Sequence, residues 1–158
     1  MRESDGIHPV TAPYLKEALS MVWQVFLEFE APGYSREGID EFRSYITVSN
    51  ISRLMENNTL FLFGYFYKGN VVGLIAMAPH GHISLLFVNK NYHKKGIAKS
   101  LYKKALSHLL KKTPLLSITV NSSPYAVPIY KRMGFVPIKE EQTVHGIRFV
   151  PMKHNLTE

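Results

Sequence analysis

Residues 92–99 read Tyr92-His93-Lys94-Lys95-Gly96-Ile97-Ala98-Lys99. An apolar run, Ile83-Ser84-Leu85-Leu86-Phe87-Val88, precedes them, and the amphipathic stretch Gly96-Ile97-Ala98-Lys99-Ser100-Leu101-Tyr102 follows. A β-rich run thus delivers the chain into a small-residue turn crowded with lysine where a helix begins. Small residues let backbone N–H groups approach an oxyanion, and a helix N-terminus adds its positive dipole end. The turn is a place to hold an anion. It is not a Walker loop, because Gly-x-x-x-x-Gly-Lys-Ser/Thr is absent, and no dinucleotide fingerprint occurs.

Working outward, residues 97–112 predict a helix with two adjacent apolar ridges. One is Ile97, Leu101, Ala105 and Leu109; the other is Ala98, Tyr102, Leu106 and Leu110. Pro114 ends it. On the N-terminal side, "TLFLFGYFY" and "VVGLIAMA" read as strands joined by the hairpin signal Lys68-Gly69-Asn70, with "HISLLFVN" a third strand. Earlier still, Ile7 to Val10 predicts a short strand. Thr11 and Pro13 open a helix carried by Leu15, Leu19, Val22, Phe26 and Phe29, which "APGY" breaks. Ser35 caps a second helix, and a shorter one runs through Ile51, Leu54 and Met55. After the central helix come the strand "LLSITVN", a short helix in "PYAVPIYKRMGF" ending at Gly134, and a terminal strand "GIRFVPM". Pro128 makes the first turn of that short helix irregular or late. The order is β-α-α-(short α)-β-β-β-α-β-α-β-β, an α/β (α+β) mixed sheet flanked by helices. No repeat or low-complexity linker interrupts residues 1–158, so one domain is expected.

Composition narrows the function. A chain of 158 residues with 46% apolar content can bury one real core. No apolar run reaches the roughly 18–20 residues of a membrane helix, and the first residues lack the apolar core of a signal peptide. A soluble, cytoplasmic protein is the expectation. Cysteine is absent, which excludes disulfides, thiolate zinc sites and a cysteine nucleophile. The net charge of +7 is unevenly spread: residues 57–139 hold no Asp or Glu. One part of the protein attracts anions and the other cations.

Strand, turn, helix, "SITVN" and "AVPIYKRMGF" together resemble the GNAT superfamily of N-acetyltransferases over nearly the whole chain. In that family the turn reads Arg/Gln-x-x-Gly-x-Gly/Ala and cradles the pyrophosphate of acetyl-coenzyme A. Here it is His93-Lys94-Lys95-Gly96-Ile97-Ala98, with His93 in place of Arg or Gln, and Lys94, Lys95 and Lys99 available to supply charge. The resemblance implies a GNAT-like fold, acetyl-CoA as co-substrate and no metal. It further implies that Leu86, Phe87 and Val88 present backbone groups to the pantetheine and acetyl oxygen. Asn121 and Tyr130 match two further family positions, and Tyr130 is the candidate for protonating the leaving sulfur.

The transfer implied is direct, by attack of an amine on the thioester within a ternary complex; no Gly-x-Ser-x-Gly elbow offers a covalent route. Many relatives carry a glutamate base on the central strand, but the carboxylate-free window contains that whole strand, and position 84 is Ser84. The candidate bases are His82, with His80 as its substitute, and Glu28 or Glu30 from the first helix and its loop. His80-x-His82 lacks the further ligands of a metal site. Glu28, Glu30 and Tyr34 are expected on the acceptor side, and the segregation of charge suggests a cationic amine, either a small molecule or a peptide N-terminus. A homodimer is compatible with such a chain, while membrane contact is not expected. A basic nucleic-acid-binding module and a non-catalytic acyl-CoA sensor are the alternative classes; the lysines and aromatics are accounted for without RNA.

Overall fold

The computed structural model describes residues 3–156. The first strand is β1 (Gly6–Pro9), followed by three helices: α1 (Ala12–Phe29), α2 (Arg36–Tyr45) and α3 (Val48–Glu56). Ser35 caps α2 by accepting a bond from the Gly38 N–H, whereas Thr11 occupies the cap position of α1 without a side-chain bond. Three antiparallel strands come next: β2 (Phe61–Tyr67), β3 (Asn70–Ala78) and β4 (His82–Val88). Then follow α4 (Ile97–Leu110), β5 (Ser117–Ser122) and α5 (Val127–Arg132). The chain ends with β6 (Val136–Pro137), β7 (Gln142–Val144) and β8 (Ile147–Asn155).

One boundary and one count differ from the sequence reading. Helix α4 stops at Leu110, before Lys111 and Lys112, because its apolar ridges end at Leu109 and Leu110. Helix α5 begins only at Val127, with Pro128 in its first turn, where a missing N–H costs nothing. Three terminal strands form rather than two. The added pieces, β6 and β7, are too short and too exposed to carry an alternating pattern.

The eight-stranded sheet runs β1-β2-β3-β4-β5-β8-β6, with β7 paired to β8 off this path. Helices cover both faces, and β3, an interior strand, is buried at every position after Asn70. That is why its sequence is a continuous apolar run rather than an alternation. One core lies between the sheet and α1–α3, with Phe26, Phe66, Leu74, Leu85 and Phe87 among its members. The other lies between the sheet and α4–α5, around Ile75, Leu101, Ile118, Tyr130 and Phe135. Gly73 brings α4 close to the sheet; a side chain there would sit 3.0 Å from both Ile97 and Leu101. Among the described residues no helix is long and apolar enough to cross a membrane.

Two irregularities in β4 create the site. Opposite Ala76 and Met77 the register slips, leaving Ser84 as an extra residue. Across this bulge Ile83 packs beside α4, yet Leu85, two residues on, packs under α1. In addition, β4 pairs with the parallel strand β5 only at His82–Thr119 and Ile83–Val120. Past Ile83 the two strands part, and a cleft opens between them.

Candidate active site

The cleft has a volume of about 660 Å³. Its walls come from the free end of β4 (Leu86, Phe87, Val88), the turn leading into α4, the segment 125–133, and Val25 and Glu30 of the first helix and its C-cap. From Ser84 onward the β5-facing edge of β4 has lost its ladder partner, so its backbone polar groups face the cleft. One is already used, since His93 Nε2 donates to the Val88 carbonyl at 2.7 Å. His93 therefore ties the turn back to the strand it left.

At the turn, Lys94 (φ 63°) and Gly96 (φ 77°) both adopt left-handed backbone. Gly96 is the N-cap of α4 and offers no side-chain bond, and a Cβ built on it would meet no atom within 4 Å. The first N–H groups of α4 thus have no intrahelical partner and open onto unfilled space. Lys94, Lys99 and Arg132 bring positive charge to the same walls. These features fit a pyrophosphate: backbone donors, a helix N-terminus, cations, and room above the one residue without a side chain. Lys95 does not line the cleft, and Asn121 is exposed on β5, opposite Pro151 of β8.

The opposite wall carries titratable groups. Glu30 is the C-cap of α1 and lines the cleft. Enclosure of its carboxyl pushes its pKa up to about 7, against a smaller lowering by a hydrogen bond with the Ser123 side chain. The negative end of the α1 dipole acts in the same upward direction. Three tyrosines feel the Glu30 charge. Tyr34 and Tyr130 have pKa values well above the usual phenol range, chiefly through burial, and Tyr125 is raised by burial and then by Glu30 and Glu28. Tyr130 is 6% exposed, lines the cleft and keeps its proton. Phe29, next to Glu30, packs against His93 and Tyr125 with ring centroids 5.2 Å apart in both cases, bridging two walls.

The remaining candidates are elsewhere. His82 does not line the cleft; its Nδ1 bonds Thr119 Oγ1 at 2.8 Å where β4 and β5 are still paired. Burial, and then His80, lower its pKa. His80 stacks on it at 6.2 Å, and among the described residues no cluster of three His, Cys, Asp or Glu could hold a metal ion. Ser84, the extra residue of the bulge, bonds the Tyr45 hydroxyl at 2.8 Å. Glu28 is paired with Lys90 at 3.2 Å, and Tyr34 packs edge-on against Phe26. Sequence reasoning did not single out Ser123, Tyr125 or Arg132. The only local signal for the first two was the turn-rich stretch Asn121-Ser122-Ser123-Pro124-Tyr125 after a strand.

The splayed parallel pair and the glycine-capped start of α4 thus share one cleft. The sequence model of the acetyltransferase (GNAT) domain matches residues 30–156, and the chain belongs to that family, making it an acyltransferase. No curated protein sequence matches it. Among solved structures, a GCN5-related N-acetyltransferase of Rhodopseudomonas palustris superposes with a TM-score of 0.80 at 17% identity, covering 99% of this chain and 98% of that one. The PaiA N-acetyltransferase of Thermoplasma acidophilum, solved with coenzyme A, gives 0.76 at 19% identity, covering 97% and 99%. A chimera of the spermidine N-acetyltransferase SpeG of Vibrio cholerae with hSSAT gives 0.60 at 17%, covering 94% of each chain. At such identities the likeness is one of fold.

Proposed function

We propose that the protein transfers the acetyl group of acetyl-CoA to a primary amine by direct attack in a ternary complex, with Glu30 as proton acceptor. The observation that carries this reading is that one cleft joins a phosphate-type turn at its basic wall to an enclosed carboxyl and a buried phenol at the other. The coenzyme A held by the Thermoplasma relative is consistent with the donor. The residues for it here are the backbone of Leu86–Val88 and the turn from His93 to Lys99.

The donor supplies a thioester, an acyl group already activated. Everything else falls to the chain. A cationic amine arrives with one proton too many, and Glu30 takes that proton. A carboxyl with a pKa of about 7 is both substantially ionised and usefully basic at neutral pH. The amine nitrogen then bonds to the acetyl carbon while the carbon–sulfur bond breaks. Tyr130 donates its proton to the departing sulfur and recovers one from the acylated nitrogen, leaving a neutral amide, a free thiol and one proton on Glu30 that passes to solvent. The free backbone edge of β4 past the Ser84 bulge supplies N–H donors for the charge that develops on the acetyl oxygen. His82, tied to Thr119 and outside the cleft, is less well sited for proton transfer than Glu30.

The acceptor is taken to be cationic because Glu30 is the carboxylate in the cleft wall. That the SpeG chimera is a spermidine N-acetyltransferase supports an amine of that kind. The test is an amine panel scored by thiol release from acetyl-CoA. Release that depends on a primary amine supports the reading, and equal rates with water alone would discard amine transfer.

A further inference from the structure

Glu30 owes its place to a short piece of backbone. Its carbonyl accepts from the Gly33 N–H at 3.0 Å, and the Ala31 carbonyl accepts from the Tyr34 N–H at 2.9 Å, closing a single 3-10 turn after α1. Such a turn is short and its hydrogen-bond geometry is poorer than an α-helix's, so an outside anchor adds to its hold. That anchor comes from the far end of the chain. Arg148, on β8, donates through Nη1 to the Gly33 carbonyl at 3.0 Å. Its Nε and Nη2 donate to the two carboxylate oxygens of Glu141 at 2.7 and 3.2 Å, just before β7.

We propose that Arg148 is a positioning residue for the proton acceptor: by clamping the Gly33 carbonyl to the β7–β8 hairpin, it holds the Glu30 carboxyl enclosed against the cleft. The inference rests on the assignment of Glu30 made above.

The hairpin is a firm base for the clamp. At its tip Gly146 lies against Gly38 and the Ser35 hydroxyl at the start of α2, so closely that a side chain on either glycine would collide with the other's backbone. The loop 30–35 is thus held by α1 at one end and by the hairpin at the other. Arg148 acts through position and not through charge. The groups that set the ionisation of Glu30 are its own enclosure and Ser123. The tyrosines facing it are Tyr34, Tyr125 and Tyr130, and the charges of Arg148 and Glu141 are felt at Tyr34. A guanidinium fork can make the bidentate pair and the third bond together; an ammonium cannot.

The distinction sets the experiment. Arg148→Met and Arg148→Lys are both expected to lower kcat on the order of 10-fold, as a small misplacement of a reacting group does. Both should leave the KM for acetyl-CoA unchanged and move the acidic limb of kcat/KM toward lower pH, as water reaches Glu30. Glu141→Gln keeps the Gly33 bond and should shift the limb the same way by less, which gives a reading even if an Arg148 variant folds poorly. In a Glu30→Gln background, Arg148→Met should add almost nothing. An unmoved limb in Arg148→Met overturns the inference, as does retention of the limb by Arg148→Lys alone or an effect that multiplies in the double variant. Failure of the Glu30 assignment looks different: Glu30→Gln itself would then keep both its rate and its limb.

Discussion

The two walls of the cleft are built on different principles. On the wall proposed for the donor, seven consecutive residues, His93 to Lys99, carry the main features: a left-handed glycine, the uncapped N-terminus of α4 and a cluster of cations. On the wall proposed for the acceptor the parts come from everywhere: Glu30 after α1, Ser123 between β5 and α5, Tyr130 in α5 and Arg148 in β8. An anion site made of backbone donors is a local device, because a helix start and a glycine suffice. A carboxyl tuned for proton transfer is a tertiary device, because enclosure needs several elements to close around it. The first kind can be lifted out of a sequence, and the second has to be folded before it can be seen.

The comparison can be broken at either wall. The largest effect is expected on the donor side: Gly96→Glu should abolish acetyl-CoA binding. It places bulk and negative charge in the open space above the turn and forces a left-handed conformation on a non-glycine residue. Unchanged affinity by calorimetry would remove the turn from the site. Next comes Glu30→Gln, which should cost about 10²- to 10⁴-fold in kcat/KM for the amine while leaving donor affinity intact. The same variant should be more stable than the parent above neutral pH. A carboxyl whose pKa is raised to about 7 holds its proton in the folded state where the unfolded chain has lost it. Stability therefore falls as pH rises from the ordinary carboxylate value through about 7, and a glutamine escapes that loss. A melting temperature that drops at pH 8 would mean Glu30 is structural.

Tyr130→Phe should have a smaller effect on kcat, about 10-fold, since a thiol of pKa about 8.5 is already a fair leaving group. It should be largest for the slowest amines. The smallest effect is assigned to His82→Gln. Its bond to Thr119 is worth about 1 kcal/mol of stability, while kcat/KM should stay within about 2-fold of the parent. A large kinetic loss in His82→Gln would move proton transfer to the paired end of β4.

How far the sequence could be read follows the same divide. The order of elements as far as α5, the Lys68-Gly69 hairpin and the glycine turn into α4 all rest on period, cap and turn chemistry within short windows, and each has its counterpart in the structure. Both central residues of that hairpin, Lys68 and Gly69, have positive φ, which such a turn requires. A base on β4 is expected from the strand's period of two, and the bulge at Ser84 breaks that period where the cleft begins to open. Glu30 could be named as a candidate but not preferred. Nothing in Phe29-Glu30-Ala31-Pro32 shows that Ser123 and three tyrosines will converge on it. Outside the cleft, Glu28 pairs with Lys90 and Asp40 with Arg36 at 3.6 Å. What remains in the cleft wall is a single carboxylate.

The most direct test of the account is the pH dependence of kcat/KM for one good amine, measured on the parent, Glu30→Gln and His82→Gln. The parent should gain activity as pH rises through about 7, because the ionised form of Glu30 is the one that accepts a proton. That limb should vanish in Glu30→Gln and persist in His82→Gln. A limb that survives in Glu30→Gln and disappears in His82→Gln would contradict the account.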